Sequence, residues 1–369
     1  MGPSAKRAAF YGVLVGFAAV AAAEVVRPRG GSAVLVDWRR VRAIAQQGLR
    51  STGFETTDLV AAQADYRLLA AELERPLLEF VGRLPRGAVL PDFEAVDRRG
   101  WLELNLTIIR RAVDPVVEAG HLPNSLLVQV GREGIDRYAG YTLGFLGRRV
   151  LGQYDPRLLG QHEAGEAGLY LVETNVEEWR RSADLPQKDL RRWLILHEMT
   201  HAWQFAAHPW LRTYMEQALQ VVLDSVAPER SPLARAAGFA GVLPAQWRVV
   251  RQVQATMSVV EGYSNLVMNE LGAKLLPGFD QLENAYRDRS SGQSVLGTLM
   301  WKLTGLELKL QQYRRGERFC RAVFDRYGMV GLNRVWEGPD SLPDLDELAK
   351  PDAWFRRVSR EALPARSPR

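Results

Sequence analysis

Apolar residues recur every three to four positions through most of this chain. That period predicts helices over residues 38–49, 57–84, 101–118 and 125–151. Two short stretches break it. Residues 169–172 form an unbroken β-favouring run, and residues 150–154 form a second, so a small sheet or hairpin is expected. Residues 193–205 are apolar nearly all round, the pattern of a buried helix. Pro186 suits its first turn, with Ser182, Ala183 and Asp184 as capping candidates, and Pro209 ends it after His208. A further long helix is expected over 246–271, with Val249, Val253, Met257, Val260 and Val267 as its core stripe and Gly272 as its stop. The expected fold is mainly α, with a small β-sheet or hairpin beside the buried helix.

The ends of the chain differ from its body. Lys6 and Arg7 precede an uncharged run over residues 8–23, which reads as a membrane anchor or a cleaved signal, with a soluble helix as the third option. Membrane association through 8–23 is the leading expectation for location, with an exported or cytoplasmic protein as alternatives. Residues 1–50 carry eight Lys/Arg against two acids, and residues 356–369 carry five Arg against one Glu. Against the overall charge of +5, the body is therefore acidic by about five charges. The basic character is terminal, and nothing in the body points to nucleic acid. The expected organisation is an N-terminal apolar segment (1–30), a single helical domain (31–360) and a basic tail (361–369). One cysteine, Cys320, excludes an internal disulfide and a cysteine-based zinc knuckle; it sits in a helical pattern and reads as core.

Chemistry concentrates in the buried helix. His197-Glu198-Met199-Thr200-His201 places two imidazoles four residues apart, about 40° around a helix and roughly 6 Å along it. At that spacing both can reach one Zn²⁺, and the intervening Glu198 can take a proton from the attacking water. Two packed histidines without metal are the alternative. A third protein ligand is needed for an open catalytic site. His208 lies about 10 Å further along the helix, too far for the same ion. A sharp turn returning a histidine is also excluded, because Gln204 and Ala207 stand where glycine and histidine would be needed. Glu261, beside the core stripe of the second long helix, is the better candidate, with Glu163 a weaker rival. Gly262 would let the two helices approach closely. Asn265 could accept a hydrogen bond from the outer nitrogen of a ligating histidine. Tyr263 and Tyr214 are candidates to stabilise an oxyanion.

Several blocks resemble one family. These are Val36-Asp37-Trp38, residues 96–101 with Asn105, residues 150–156, residues 197–205 with Pro209-Trp210-Leu211, Glu261-Gly262, and residues 333–336 leading to Pro351 and Trp354. Together they resemble the actinobacterial-type zincin-like metallopeptidases, sometimes labelled as associated with biosynthesis of a deazaflavin coenzyme. The resemblance implies a mostly helical zincin-like fold, Zn²⁺ held by His197, His201 and Glu261, Glu198 as catalytic base, and a peptide or protein substrate. Similar sequences often carry an acid where this chain has Asn265, which implies a weaker outer hydrogen bond here. The resemblance assigns no particular substrate. A zinc scaffold without turnover and a hydrolase of non-peptide amides share the same motif.

Overall fold

The computed structural model describes residues 36–49, 58–118, 126–155, 168–226, 244–291 and 306–361. The apolar segment 8–23, the Glu163 loop and the tail beyond 361 lie outside them. No helix among the described residues is long and apolar enough to cross a membrane.

In chain order the elements are α1 (Trp38–Leu49), α2 (Leu59–Val81), β1 (Phe93–Val96), α3 (Arg98–Glu118), α4 (Leu126–Gly147), β2 (Gly152–Asp155), β3 (Gly168–Val172) and α5 (Glu173–Ser182). Then follow α6 (Gln187–Ala207), α7 (Pro209–Val226), α8 (Pro244–Leu275), α9 (Phe279–Ser291), α10 (Leu306–Leu332) and α11 (Pro351–Glu361). The mainly α expectation holds, with one small sheet beside the motif helix α6.

That sheet has the order β1-β3-β2, with β1 parallel and β2 antiparallel to β3. It separates two cores. Leu169 and Leu171 of β3 pack among the residues around α6, whereas Tyr170 and Val172 pack with α1, α3 and α4. Alternate side chains of a strand point to opposite faces. A strand with a core on each face therefore reads as one apolar run, which is why 169–172 stood out in the sequence. β3 is the central strand, so its backbone cannot pair with an extended peptide as an edge strand could.

α6 is buried from Trp193 to Phe205. Its one buried arginine, Arg191, is compensated: the guanidinium pairs with Glu173 of α5 and Asp65 of α2. Asp189 in its first turn accepts a hydrogen bond from the Gly278 amide, 2.8 Å away. The expected cap at 182–184 is not there. Ser182 ends α5, and Asp184 adopts a positive φ of 48°, leaving Pro186 as the N-cap residue. Pro209 does end α6, and it also begins α7.

α8 runs on to Leu275, so Gly272 does not terminate it. Gly272 instead makes room for Phe279, whose ring would lie 2.8 Å from an added Cβ. Gly262 also departs from expectation. It allows close approach not to α6 but to α10, where a Cβ would stand 2.4 Å from the Gly316 carbonyl carbon. A Cβ on Gly316 would in turn meet the Ser258 carbonyl oxygen at 1.9 Å. The backbones of α8 and α10 therefore touch at this pair. Cys320 of α10 is buried with its thiol toward the Val259 carbonyl, as a core cysteine.

Candidate metal centre

α6 supplies His197, Glu198 and His201, and α8 crosses it to supply Glu261. All four side chains are buried, none more than 3% exposed. The two histidine Nε2 atoms lie 3.2 Å apart, and Glu261 Oε2 lies 3.7 Å from His197 Nε2 and 3.6 Å from His201 Nε2. The centre of a triangle with those edges is about 2.0 Å from each corner, which is the length of a Zn–N or Zn–O bond. A proton shared between the two imidazoles is the metal-free account of the 3.2 Å contact. It leaves Glu261 Oε2 buried and accepting no hydrogen bond among the described residues. An uncompensated buried carboxylate oxygen is costly, and one cation at the centre satisfies all three donors. The donor set fits zinc.

The neighbours of His201 Nδ1 favour the tautomer that metal binding requires. Gln204 donates from Nε2 to the Val260 carbonyl at 2.9 Å, which turns its Oε1 toward His201 Nδ1, 3.0 Å away. Ser264 donates to the same carbonyl at 3.1 Å and presents its oxygen 3.1 Å from Nδ1. With Nδ1 carrying the proton, the Nε2 lone pair faces Glu261 and His197. Sequence reasoning missed Gln204 and Ser264. Each lies three residues beyond a ligand, and each is polar in an otherwise apolar helix; that signal was available.

Asn265 does not have the expected role. It is buried, but its Oδ1 accepts no hydrogen bond among the described residues. Ser264 and Asn265 fall on opposite sides of the Glu261 line, about 60° one way and 40° the other, and only Ser264 faces His201.

The two tyrosines are also placed elsewhere. Tyr263 is two residues from Glu261, roughly on the opposite side of α8. It is fully buried and donates to Asn333 Oδ1 at 2.7 Å, with its ring stacked on Trp203 and edge-on to Trp336. Burial raises its pKa, so it is a neutral structural anchor. Tyr214 is half-buried, with its ring edge-on to Trp210 and its hydroxyl beside Thr256. Neither tyrosine is brought to the donor triangle by these contacts. His208 is the C-cap residue of α6, packed between Trp203 and Trp336.

Glu198 has a neighbour that the sequence did not announce. Gly152 of β2 lies against its carboxylate: an added Cβ would be 2.5 Å from Glu198 Oε1 and 2.8 Å from Leu171. The sheet thus reaches the site through a residue with no side chain.

A family model described as zincin-like metallopeptidase matches residues 36–355. This chain belongs to the zincin-like metallopeptidase family. A crystal structure described as "a putative hydrolase with a novel fold" from Chloroflexus aurantiacus is similar at 34% identity and a TM-score of 0.67. The match covers 89% of this chain and 100% of that one. No curated protein matches the chain. Family and neighbour together support a hydrolase. The family implies a metal, usually zinc, and His197, His201 and Glu261 form the buried group that could hold it. The blocks that carried the resemblance have structural work to do. Trp101 donates to Gln153 at 2.8 Å, Asn333 donates to the Val81 carbonyl at 2.7 Å, and Trp354 donates to the Ser341 carbonyl at 2.7 Å.

Proposed function

We propose that this protein is a zinc-dependent peptidase. The observation that carries the proposal is the donor triangle of His197, His201 and Glu261, with Glu198 directly adjoining it on the same helix. When bound there, zinc would polarise the scissile carbonyl and lower the pKa of water toward about 7, so that hydroxide is available at neutral pH. Glu198 takes the proton of the attacking water and returns it to the leaving amine. Gln204 and Ser264 hold His201 in orientation. The side of Glu198 that faces Gly152 is walled by backbone.

The test is hydrolysis of a peptide library by zinc-loaded wild type and Glu198→Gln. The proposal expects turnover in wild type and a fall of about a hundredfold or more in the variant, with zinc content unchanged. Undiminished hydrolysis by the variant would refute the assigned base. A second reading, a zinc scaffold without turnover, draws on the near-complete burial of all four site residues. It expects zinc in both proteins and hydrolysis in neither. Turnover of amides but not peptides would point to a non-peptide substrate.

A further inference from the structure

A second group of charged residues lies around α5 and α9, and none of the candidate metal ligands belongs to it. The segment after α4 contributes Arg148 and Arg149, α5 contributes Asn175, Glu178 and Trp179, and α9 contributes Arg289. They line a cavity of about 270 Å³. Trp179 and Arg289 also line an adjoining cavity of about 810 Å³, with Asn284, Gln281 and the acidic Asp288 on its wall.

The smaller cavity has an excess of positive charge. Three arginines line it against one carboxylate, Glu178, which pairs with Arg98 and also attracts Arg149 and Arg289. Asn175 brings no compensation. Its amide nitrogen donates to the Gly147 and Val150 carbonyls, and its oxygen accepts from Arg98 Nε at 2.6 Å. Arg289 makes no ion pair among the described residues. Its guanidinium is held 4.9 Å over the Trp179 ring, and its only hydrogen bond among those residues is a long one, 3.4 Å to the Arg149 carbonyl. Arg149 lies 3.7 Å over the Phe145 ring and donates from Nη1 to the Phe145 carbonyl at 3.1 Å. Both guanidinium groups thus rest on aromatic rings. Burial is the main cause that lowers the pKa of both arginines to about 10; neighbouring guanidinium groups add to it, and Glu178 opposes it in both. Helix C-terminal capping explains the contact of Arg149 with Phe145. It does not explain Arg289, nor the space between the two.

We propose that this cavity binds the oxyanion group, a phosphate or a carboxylate, of a small molecule. Arginine forks present paired N–H donors at the spacing of such oxygens. The adjoining cavity gives room for the rest of the ligand along Trp179. The site is coupled to the metal helix by packing: Trp179 meets Trp193 of α6 at 6.1 Å between ring centres, and Trp193 meets Tyr286 of α9 at 5.1 Å.

The experiment is thermal unfolding of the full chain with sodium phosphate, sulfate, acetate or citrate, each against sodium chloride at equal ionic strength. Arg289→Gln and Arg149→Gln are run in parallel. Occupancy at tenfold over Kd is expected to raise Tm by about 2 °C in wild type and by far less in either variant. A rise with phosphate and sulfate identifies a tetrahedral head; a rise with acetate or citrate identifies a carboxylate. Equilibrium dialysis of wild type against phosphate and citrate reads binding directly, should either variant fail to fold. No anion-specific rise and no retention in dialysis would overturn the proposal. So would a rise undiminished in both variants.

Discussion

Gly152 lies against the Glu198 carboxylate so closely that even a methyl group on its Cα would stand 2.5 Å from Oε1. Glu198, the proposed acid–base residue, is therefore positioned from two directions: by the pitch of α6 behind it, and by the backbone of β2 in front.

Gly152→Ala should displace Glu198 or push β2 away from α6. The account expects a loss of hydrolysis of tenfold to a hundredfold, because catalysis tolerates little misplacement. Overpacking should cost about 1–3 kcal/mol of stability. Zinc content should stay at wild-type level, since no ligand moves. Metal analysis alongside turnover separates the two effects; loss of zinc in this variant would show that the strand supports the ligands themselves.

The pair that orients His201 makes a separate prediction. Gln204→Ala and Ser264→Ala should each weaken zinc binding, by about tenfold to a hundredfold for the glutamine, with a smaller loss for the serine. Competition with a chromogenic chelator measures this. Asn265→Ala should leave zinc affinity near wild type, which distinguishes the observed hydrogen bonds from those the sequence led one to expect.

Gly262 and Gly316 set the distance between α8 and α10. Gly262→Ala should be destabilising by about 1–3 kcal/mol or more, because backbone rather than a flexible side chain blocks the new methyl. As Glu261 is the preceding residue, zinc affinity should fall with it. Denaturant unfolding and chelator competition on the same preparation would check both. Stability unchanged from wild type would show that the helices can separate freely.

His208 gives the fold an acid sensitivity distinct from the metal. Burial lowers its pKa to about 4. The unfolded chain, with an ordinary histidine value of about 6.5, binds a proton that the folded chain refuses. Stability from this residue is therefore present in full above pH 6.5 and lost as pH falls toward 4. The Tm of His208→Gln should fall less steeply across that window than that of wild type. Parallel slopes would remove His208 from the account.

Much of the candidate metal centre was legible because it is local. The histidine spacing, the glutamate between them and the apolar surroundings all sit within one helix, where period and sequence separation translate directly into geometry. Glu261 was legible too, since a carboxylate beside a core stripe needs a partner. What depended on the contact between helices was not. Gln204 and Ser264 meet His201 only because α6 and α8 cross at one register, and a shift along either axis would have brought Asn265 instead. Gly262 signalled close approach correctly but could not say to which helix. Strand β1 went unread because Phe-Glu-Ala-Val is four residues long, too short for an alternation to stand out. Tyr263 is near Glu261 in sequence but two residues along a helix, so it falls on the opposite side of α8.

The central claim is that His197, His201 and Glu261 hold one zinc ion. Its most direct test is zinc per chain in purified wild type and Glu261→Ala, each offered zinc and then dialysed without chelator. The account predicts close to one zinc in wild type and a marked loss in the variant, with both proteins folded by circular dichroism. No zinc in folded wild type, or equal zinc in both, would contradict it.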